Sequence, residues 1–318
     1  LLKAKNFVPL SAALIFTCFA AQAAPADVAL PGDHAFPESL SSSADGTLYI
    51  GGLTTGGVLR IKAGSANAEQ WIKPGAFGTR SIFGVLVDEH TKTLWTCSND
   101  ISAAGILGPG DVTGSYIKGF NLATGEGKVS AKLPGAKALC NDIAIGPDGA
   151  PYVTNSFAPE ILRFDATKQQ LDVWVSDPLL APPEGGAGLD GLAFDRDGNL
   201  VVDTYNKAEL FRIDAKDGKA GKVAKLTPSR ALVLADGIRQ DGNGFLIVEG
   251  GGRLDRMSIE GDKATIATLK DGMVNPTAVT TVGSTAWVAD GQVGFAFAPK
   301  SGQPHLPFTL YAVALPAP

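Results

Sequence analysis

Asp190-Gly-Leu-Ala-Phe-Asp-Arg-Asp-Gly198-Asn-Leu-Val-Val202 reads as a strand, a turn and a second strand. Short β-rich runs flank the turn, and its glycine supplies the positive φ that hairpin turns need. Asp190 opens the unit eight residues before Gly198. The same spacing separates Glu38 from Gly46, Asn141 from Gly149, Asp236 from Gly244 and Asn275 from Gly283. One oxygen-bearing side chain therefore stands at the start of each strand pair.

Third strands follow several units, as in Val58-Leu-Arg-Ile61, Ile161-Leu-Arg-Phe164 and Glu209-Leu-Phe-Arg-Ile213. From Gly46 to Gly149 is 103 residues, about twice the neighbouring intervals of 49 and 46. A degenerate unit is expected midway, and Phe83-Gly-Val-Leu-Val87, the turn Asp88 to Lys92 and Thr93-Leu-Trp-Thr-Cys97 supply it. Six units of this length match propeller blades better than helical solenoids, and no segment sustains an apolar period of 3.6. The expected fold is all-β, a six-bladed β-propeller of four-stranded blades. Phe308 to Leu315 reads as a last strand that closes the ring with the segment from Val28 to Phe36. Two Gly/Pro-rich insertions, Gly105 to Gly114 and Pro178 to Gly188, read either as connectors or as lids on the blade-start face.

The chain has 318 residues, 45% of them hydrophobic, and a net charge of −5, with no basic cluster beyond the first few positions. That balance argues against nucleic acid as a partner. Lys3 and Lys5, an apolar run from Phe7 to Ala21 and Ala21-Gln22-Ala23 read as a secretory signal peptide cleaved after Ala23. It is too short for a stable membrane span. The expected organisation is a signal peptide over 1–23 and a single propeller domain over 24–318, periplasmic or secreted, with no membrane association. Cys97 and Cys140 then remain, as a disulfide or as two buried free thiols.

Equivalent strand starts in a propeller ring one mouth of the central channel. That ring is Glu38, Gly84, Asn141, Asp190, Asp236 and Asn275. Three carboxylates held together in a partly desolvated pore call for raised pKa values or a bound cation. Oxygen donors point to Ca²⁺, with Mg²⁺ or Mn²⁺ as alternatives, whereas zinc would want histidine or thiolate. Taken singly, each of these residues reads more readily as a loop-bonding Asp or Asn; the common register favours a joint site. Asn275 has no assigned role beyond a place beside the ligands or in a turn. Asn155, Asp203 and Glu249 lie near the ends of second strands, where packing is the favoured reading and contact with the mouth the other. His34, four residues before Glu38, is a candidate for the pocket border. No serine-hydrolase elbow, zincin helix or CxxC motif is present.

Phe36-Pro37-Glu38, Cys140-Asn141-Asp142 with Pro147-Asp-Gly-Ala-Pro-Tyr-Val153, Leu189-Asp190-Gly191 with Asp195-Arg-Asp-Gly198, and Ala235-Asp236-Gly237 together resemble the senescence-marker-protein/gluconolactonase/LRE-like family. The resemblance runs from about residue 30 to the end. It implies a six-bladed propeller holding a divalent cation, often calcium, through Glu38, Asn141, Asp190 and Asp236. Asp190 stands where the better-known lactonases carry an amide, and Ser39-Leu40 replaces their usual glycine-containing turn.

The expected function is metal-dependent hydrolysis of a sugar or related lactone, the cation polarising the carbonyl and Asp236 accepting a proton from water. The alternative is a non-catalytic NHL-like propeller that binds a ligand or a protein.

Overall fold

The computed structural model describes residues 26–316. The expected signal peptide lies outside them, and no helix among the described residues is long and apolar enough to cross a membrane. The regular structure of the described residues is predominantly β-strand, with one short α-helix, Val293–Phe297, and three 3-10 turns.

Each repeat is an antiparallel meander. Pro37–Ser42, Leu48–Gly52, Val58–Ile61 and Ala68–Ile72 form the first four-stranded sheet, and the degenerate unit forms the second, Ser81–Asp88 to Gly127–Lys132. Cys140–Ile145 to Gln170–Ser176 make the third. The last sheet joins Pro276–Val282, Thr285–Asp290 and Thr309–Ala314 to the N-terminal strand Val28–Ala29. Val28 pairs with Leu310 and Ala29 with Thr309, so the two ends of the domain meet in one sheet, as the apolar segments at both ends suggest.

Between the third and last sheets the pattern departs from separate four-stranded units. Two meanders, Leu189–Phe194 to Lys219–Pro228 and Ala235–Asp241 to Lys263–Lys270, share one eight-stranded sheet. They join through their outer strands, Thr227 beside Lys263 and Pro228 beside Ala264, in parallel. The ten-residue outer strand overruns its own partner and satisfies its spare backbone groups on the neighbouring edge, where Thr227 N–H donates to the Asp262 carbonyl at 2.7 Å.

The first strands of successive meanders touch in a closed cycle, which sets them around a central axis. Ile143, Leu192 and Ile238, one on each of three first strands, are fully buried. Hydroxyls stitch neighbouring first strands together. Ser39 and Ser41 accept the backbone N–H groups of Val85 and Val87 at 2.9 and 3.0 Å, and Thr277 Oγ1 donates to the Pro37 carbonyl at 2.9 Å. The serine-rich opening strand therefore belongs to the core, its polarity absorbed by backbone bonds.

The turn glycines at 46, 149 and 198 have φ of 89°, 77° and 84°, in five-residue loops rather than two-residue hairpins. In the fifth repeat the positive φ belongs to Gly242, while Gly244 already pairs with Asp241 as a strand residue.

Candidate functional site

Glu38, Asn141, Asp190 and Asp236 line a single cavity of about 10 Å³ at the strand starts, with Gly84, Asp142, Arg239 and Thr277 in its wall. That volume is about one water-sized sphere. The four side chains come from four first strands, and a β-bulge just past each strand start places them. All four are nearly closed off, 8% exposed for Glu38 and 5% for each of the others.

The amide of Asn141 is held from two sides. Its Nδ2 donates to Ser156 Oγ at 2.9 Å and to Asp190 Oδ2 at 3.1 Å, and Ser156 in turn donates to the Leu189 carbonyl at 2.6 Å. Asp236 Oδ1 accepts the N–H of Gly237 at 3.0 Å. Burial, then the charges of Asp190 and Asp142, push the Glu38 carboxyl well above its ordinary range, with Arg239 opposing. Asp190 is pushed up to about 8 by burial and by Asp142, against hydrogen bonds from Asp236 and Asn141. Asp236 rises well above the usual range through burial and the charges of Asp190, Glu38 and Asp203.

Arg239 is the cation beside these groups, and it is already paired. Its guanidinium donates to both oxygens of Asp142, at 2.6 and 3.0 Å, and to the Ile238 carbonyl at 2.7 Å. Burial works against the Arg239 charge and Asp142 outweighs it. The cavity therefore gathers more buried carboxyl groups than it has cations to balance them. Neither Asp142 nor Arg239 was singled out in the sequence, yet the repeats carry the signal. Asp142 stands where the fourth and fifth repeats have Gly191 and Gly237, and Arg239 stands where the third and fourth have Ala144 and Ala193.

Asp203 lies fully buried behind Asp190. One of its oxygens accepts the Gly191 N–H at 2.9 Å and the other has no partner. Burial, then Asp190, raises its carboxyl well above the usual range. Asn155 is a structural side chain, its Oδ1 accepting the N–H groups of Leu139 and Phe157 at 3.0 and 3.2 Å. Asn275 stands outside the cavity wall. Thr277 takes the ring position, one past the paired Pro276 as Glu38 is one past Pro37, because Gly283 opens a two-residue turn whereas Gly46, Gly149 and Gly198 stand fourth in five-residue loops. Asn275 instead donates to the Gly250 carbonyl at 3.1 Å. His34 does not border the cavity. It lies 79% exposed against Asp33 and lines a separate surface recess with Gly52 and Thr55. Glu249 serves another cluster, paired with Arg230 at 2.6 Å, while Arg230 also reaches Asp255 at 2.7 Å. The second repeat contributes only the backbone of Gly84, where an added Cβ would lie 2.4 Å from the Asn141 carbonyl.

Tyr205, unremarked in the sequence, has its hydroxyl pKa raised by burial and by the charges of Asp236, Asp190 and Glu38, while Asn275 opposes the rise. Its N–H donates to the Gly188 carbonyl at 2.8 Å, and Gly188 N–H reaches the Ser156 carbonyl at 2.8 Å. The insertion ending at Gly188 is thus fastened beside the site. The other insertion is tied through Arg80, which pairs with Asp100 at 3.3 Å and donates to the carbonyls of Leu107 and Val112.

A disulfide joins Cys97 to Cys140, with Cα atoms 5.2 Å apart. It clamps the second sheet to the residue preceding Asn141. Asn99 reinforces the seam through reciprocal bonds of 2.8 and 3.0 Å to the Cys140 backbone.

The donor chemistry fits a divalent cation: three buried carboxyls and an amide surround an ion-sized space, and the neighbouring guanidinium of Arg239 is already bound to Asp142. Among the described residues no three His, Cys, Asp or Glu side chains are gathered into a group that could hold a metal ion as they stand.

No family model matches the sequence, and no curated protein matches it. Solved structures do share its fold. A calcium-binding protein, regucalcin, from Agrobacterium tumefaciens superposes with a TM-score of 0.65 at 15% identity, over 92% of this chain and 94% of that one. A gluconolactonase from Xanthomonas campestris gives 0.62 at 15% identity, over 93% and 99%. A virginiamycin B lyase from Staphylococcus aureus gives 0.61 at 14% identity, over 90% and 83%. The chain has the propeller-type fold of these proteins, and its structural neighbours include a regucalcin and a gluconolactonase, the kind of protein that its motifs resemble.

Proposed function

We propose that the chain is a six-bladed propeller, the eight-stranded sheet counting as two blades, that hydrolyses a lactone with a divalent cation at its carboxylate cavity. One observation carries the reading. Glu38, Asn141, Asp190 and Asp236 are buried around one ion-sized space in which the nearby guanidinium is already bound to Asp142. The fold shared with a calcium-binding regucalcin and a gluconolactonase supports it. Ca²⁺ is the preferred ion, with Mg²⁺ or Mn²⁺ as alternatives.

Glu38, Asn141, Asp190 and Asp236 would hold the ion. When bound, it supplies a Lewis acid for the lactone carbonyl and charge to stabilise the oxyanion. Ser156 and Asp190 fix the Asn141 nitrogen and leave its oxygen as the atom offered to the cavity. Asp236 accepts the proton of the attacking water, a role open to it once positive charge has drawn its raised pKa down. A space of about 10 Å³ admits no sugar ring, so the body of the substrate stays at the mouth. Export to the periplasm or beyond, directed by residues 1–23, accords with the disulfide.

Hydrolysis of a panel of sugar and aliphatic lactones, with and without chelator, tests the reading. Activity is expected to vanish on chelation and to fall at least about 100-fold in Asp236→Ala; activity indifferent to both overturns it. The alternative reading is a non-catalytic NHL-like propeller that binds a ligand or a protein. Elemental analysis separates the two, with one equivalent of cation expected for the enzyme and none for the binding module.

A further inference from the structure

Arg239 stands where two cavities meet. It lines the carboxylate cavity and also a wider opening of about 910 Å³ at the turn end of the same first strands, walled by Leu86, Ile145, Leu192 and Phe194. Its guanidinium reaches from the first strand of the fifth repeat to Asp142 on the first strand of the third, past the intervening fourth. Both partners are mostly buried, with side chains 14% and 7% exposed. A bidentate pair thus links two non-adjacent repeats past the fourth, and its two parallel bonds fix both side chains.

We propose that the Arg239–Asp142 pair is the floor and the fixed counter-ion of the carboxylate cavity, limiting it to one divalent cation and to a single mouth at the strand starts. This rests on the cation reading given above. As a unit the pair is neutral and solid. Without Arg239, Asp142 would become a fourth carboxylate beside Glu38, Asp190 and Asp236, and the cavity would run through to the lower opening with room for a second ion. Without the Asp142 charge, Arg239 would face the same carboxylates unpaired and compete with the cation.

Calorimetric titration of the chelator-treated full chain with calcium chloride tests this, with thermal melts to establish folding. The wild type is expected to bind one equivalent. Arg239→Met is expected to bind at least about tenfold more tightly or to take a second equivalent, and Asp142→Asn to bind at least about tenfold more weakly. The double variant Arg239→Met with Asp142→Asn, neutral again, is expected to return to one equivalent near the wild-type affinity. Folded single variants that both keep wild-type affinity and stoichiometry overturn the inference while leaving the cation reading intact. If Arg239→Met does not fold, Asp142→Asn decides alone. A wild type that takes up no calcium overturns the cation reading, and this inference with it.

Discussion

Asn141 donates to Asp190 at 3.1 Å across the seam between the third repeat and the fourth, linking two side chains that the sequence places in the same register. The same nitrogen is anchored at 2.9 Å to Ser156. Ser156→Ala removes that anchor together with the 2.6 Å bond to the Leu189 carbonyl. Groups that orient metal ligands typically govern about 10–100-fold in affinity. The variant is therefore expected to bind calcium at least about tenfold more weakly and to lose about 1–3 kcal/mol of stability as buried partners go unpaired, as read by calorimetry and thermal melts. Unaltered affinity would show that Asn141 needs no such positioning.

Gly84 and Gly149 carry different reasons for being glycine. At Gly84 a Cβ would lie 2.4 Å from the Asn141 carbonyl and 2.9 Å from the Asp142 Cα, so the closeness of two first strands forbids it. At Gly149 nothing lies within 4 Å, and only the φ of 77° resists a side chain. Gly84→Ala is expected to destabilise by about 1–3 kcal/mol or more through overpacking, and Gly149→Ala by about 1 kcal/mol through strain. Urea unfolding of the two variants side by side measures the difference, and equal losses would contradict the packing argument.

Most of the fold was legible because turn glycines and short apolar runs repeat along the chain, and Val28 with Leu310 closes the ring where both ends read as strands. The edge pairing of Thr227 with Lys263 was not, since it depends on how far one outer strand overruns its neighbour. In the site, the shared spacing brought Glu38, Asn141, Asp190 and Asp236 into one wall. Spacing fails at Asn275 because Gly283 is the first residue of a two-residue turn rather than the fourth of a five-residue loop, so counting eight back overshoots Thr277. It failed at His34, because nearness to Glu38 along the chain says nothing about which side of the strand a loop takes. Spacing does not pick out Arg239 or Asp142, because each departs from its neighbouring repeats, Asp142 standing where Gly191 and Gly237 stand and Arg239 where Ala144 and Ala193 stand.

The bridge from Cys97 to Cys140 closes a loop of 43 residues in sequence separation. Restricting the unfolded chain over such a loop is worth about 4 kcal/mol in the chain-entropy account. Both residues are fully buried, so replacement by Ser would also bury hydroxyls. Cys97→Ala with Cys140→Ala is the cleaner test, and it is expected to lower stability by about 2–5 kcal/mol in urea. Calcium affinity should fall too, because Cys140 directly precedes Asn141. A double variant as stable as the parent would show that the bridge does not constrain the unfolded state.

The carboxyl cluster fixes how stability depends on pH. Glu38, Asp203 and Asp236 are raised well above their ordinary ranges, mainly by burial, and Asp190 to about 8. In the unfolded chain the same groups ionise near pH 4. Between about pH 4 and 8 the cation-free native state therefore holds protons that the unfolded state has released. Its stability must fall as pH rises through that window, by about 1.4 kcal/mol per pH unit for each extra proton held. A bound divalent cation removes the cause, since it supplies the positive charge that protons supply at low pH. In chelator, the melting temperature is expected to drop steadily from pH 5 to pH 8. In calcium at about 100 times its dissociation constant, it should rise at pH 8 by the equivalent of about 2.7 kcal/mol, and by much less at pH 5, where protons compete for the same oxygens. A flat profile in chelator would remove the shared-proton account of the cluster. An equal calcium shift at both pH values would place the ion away from Glu38, Asp190 and Asp236.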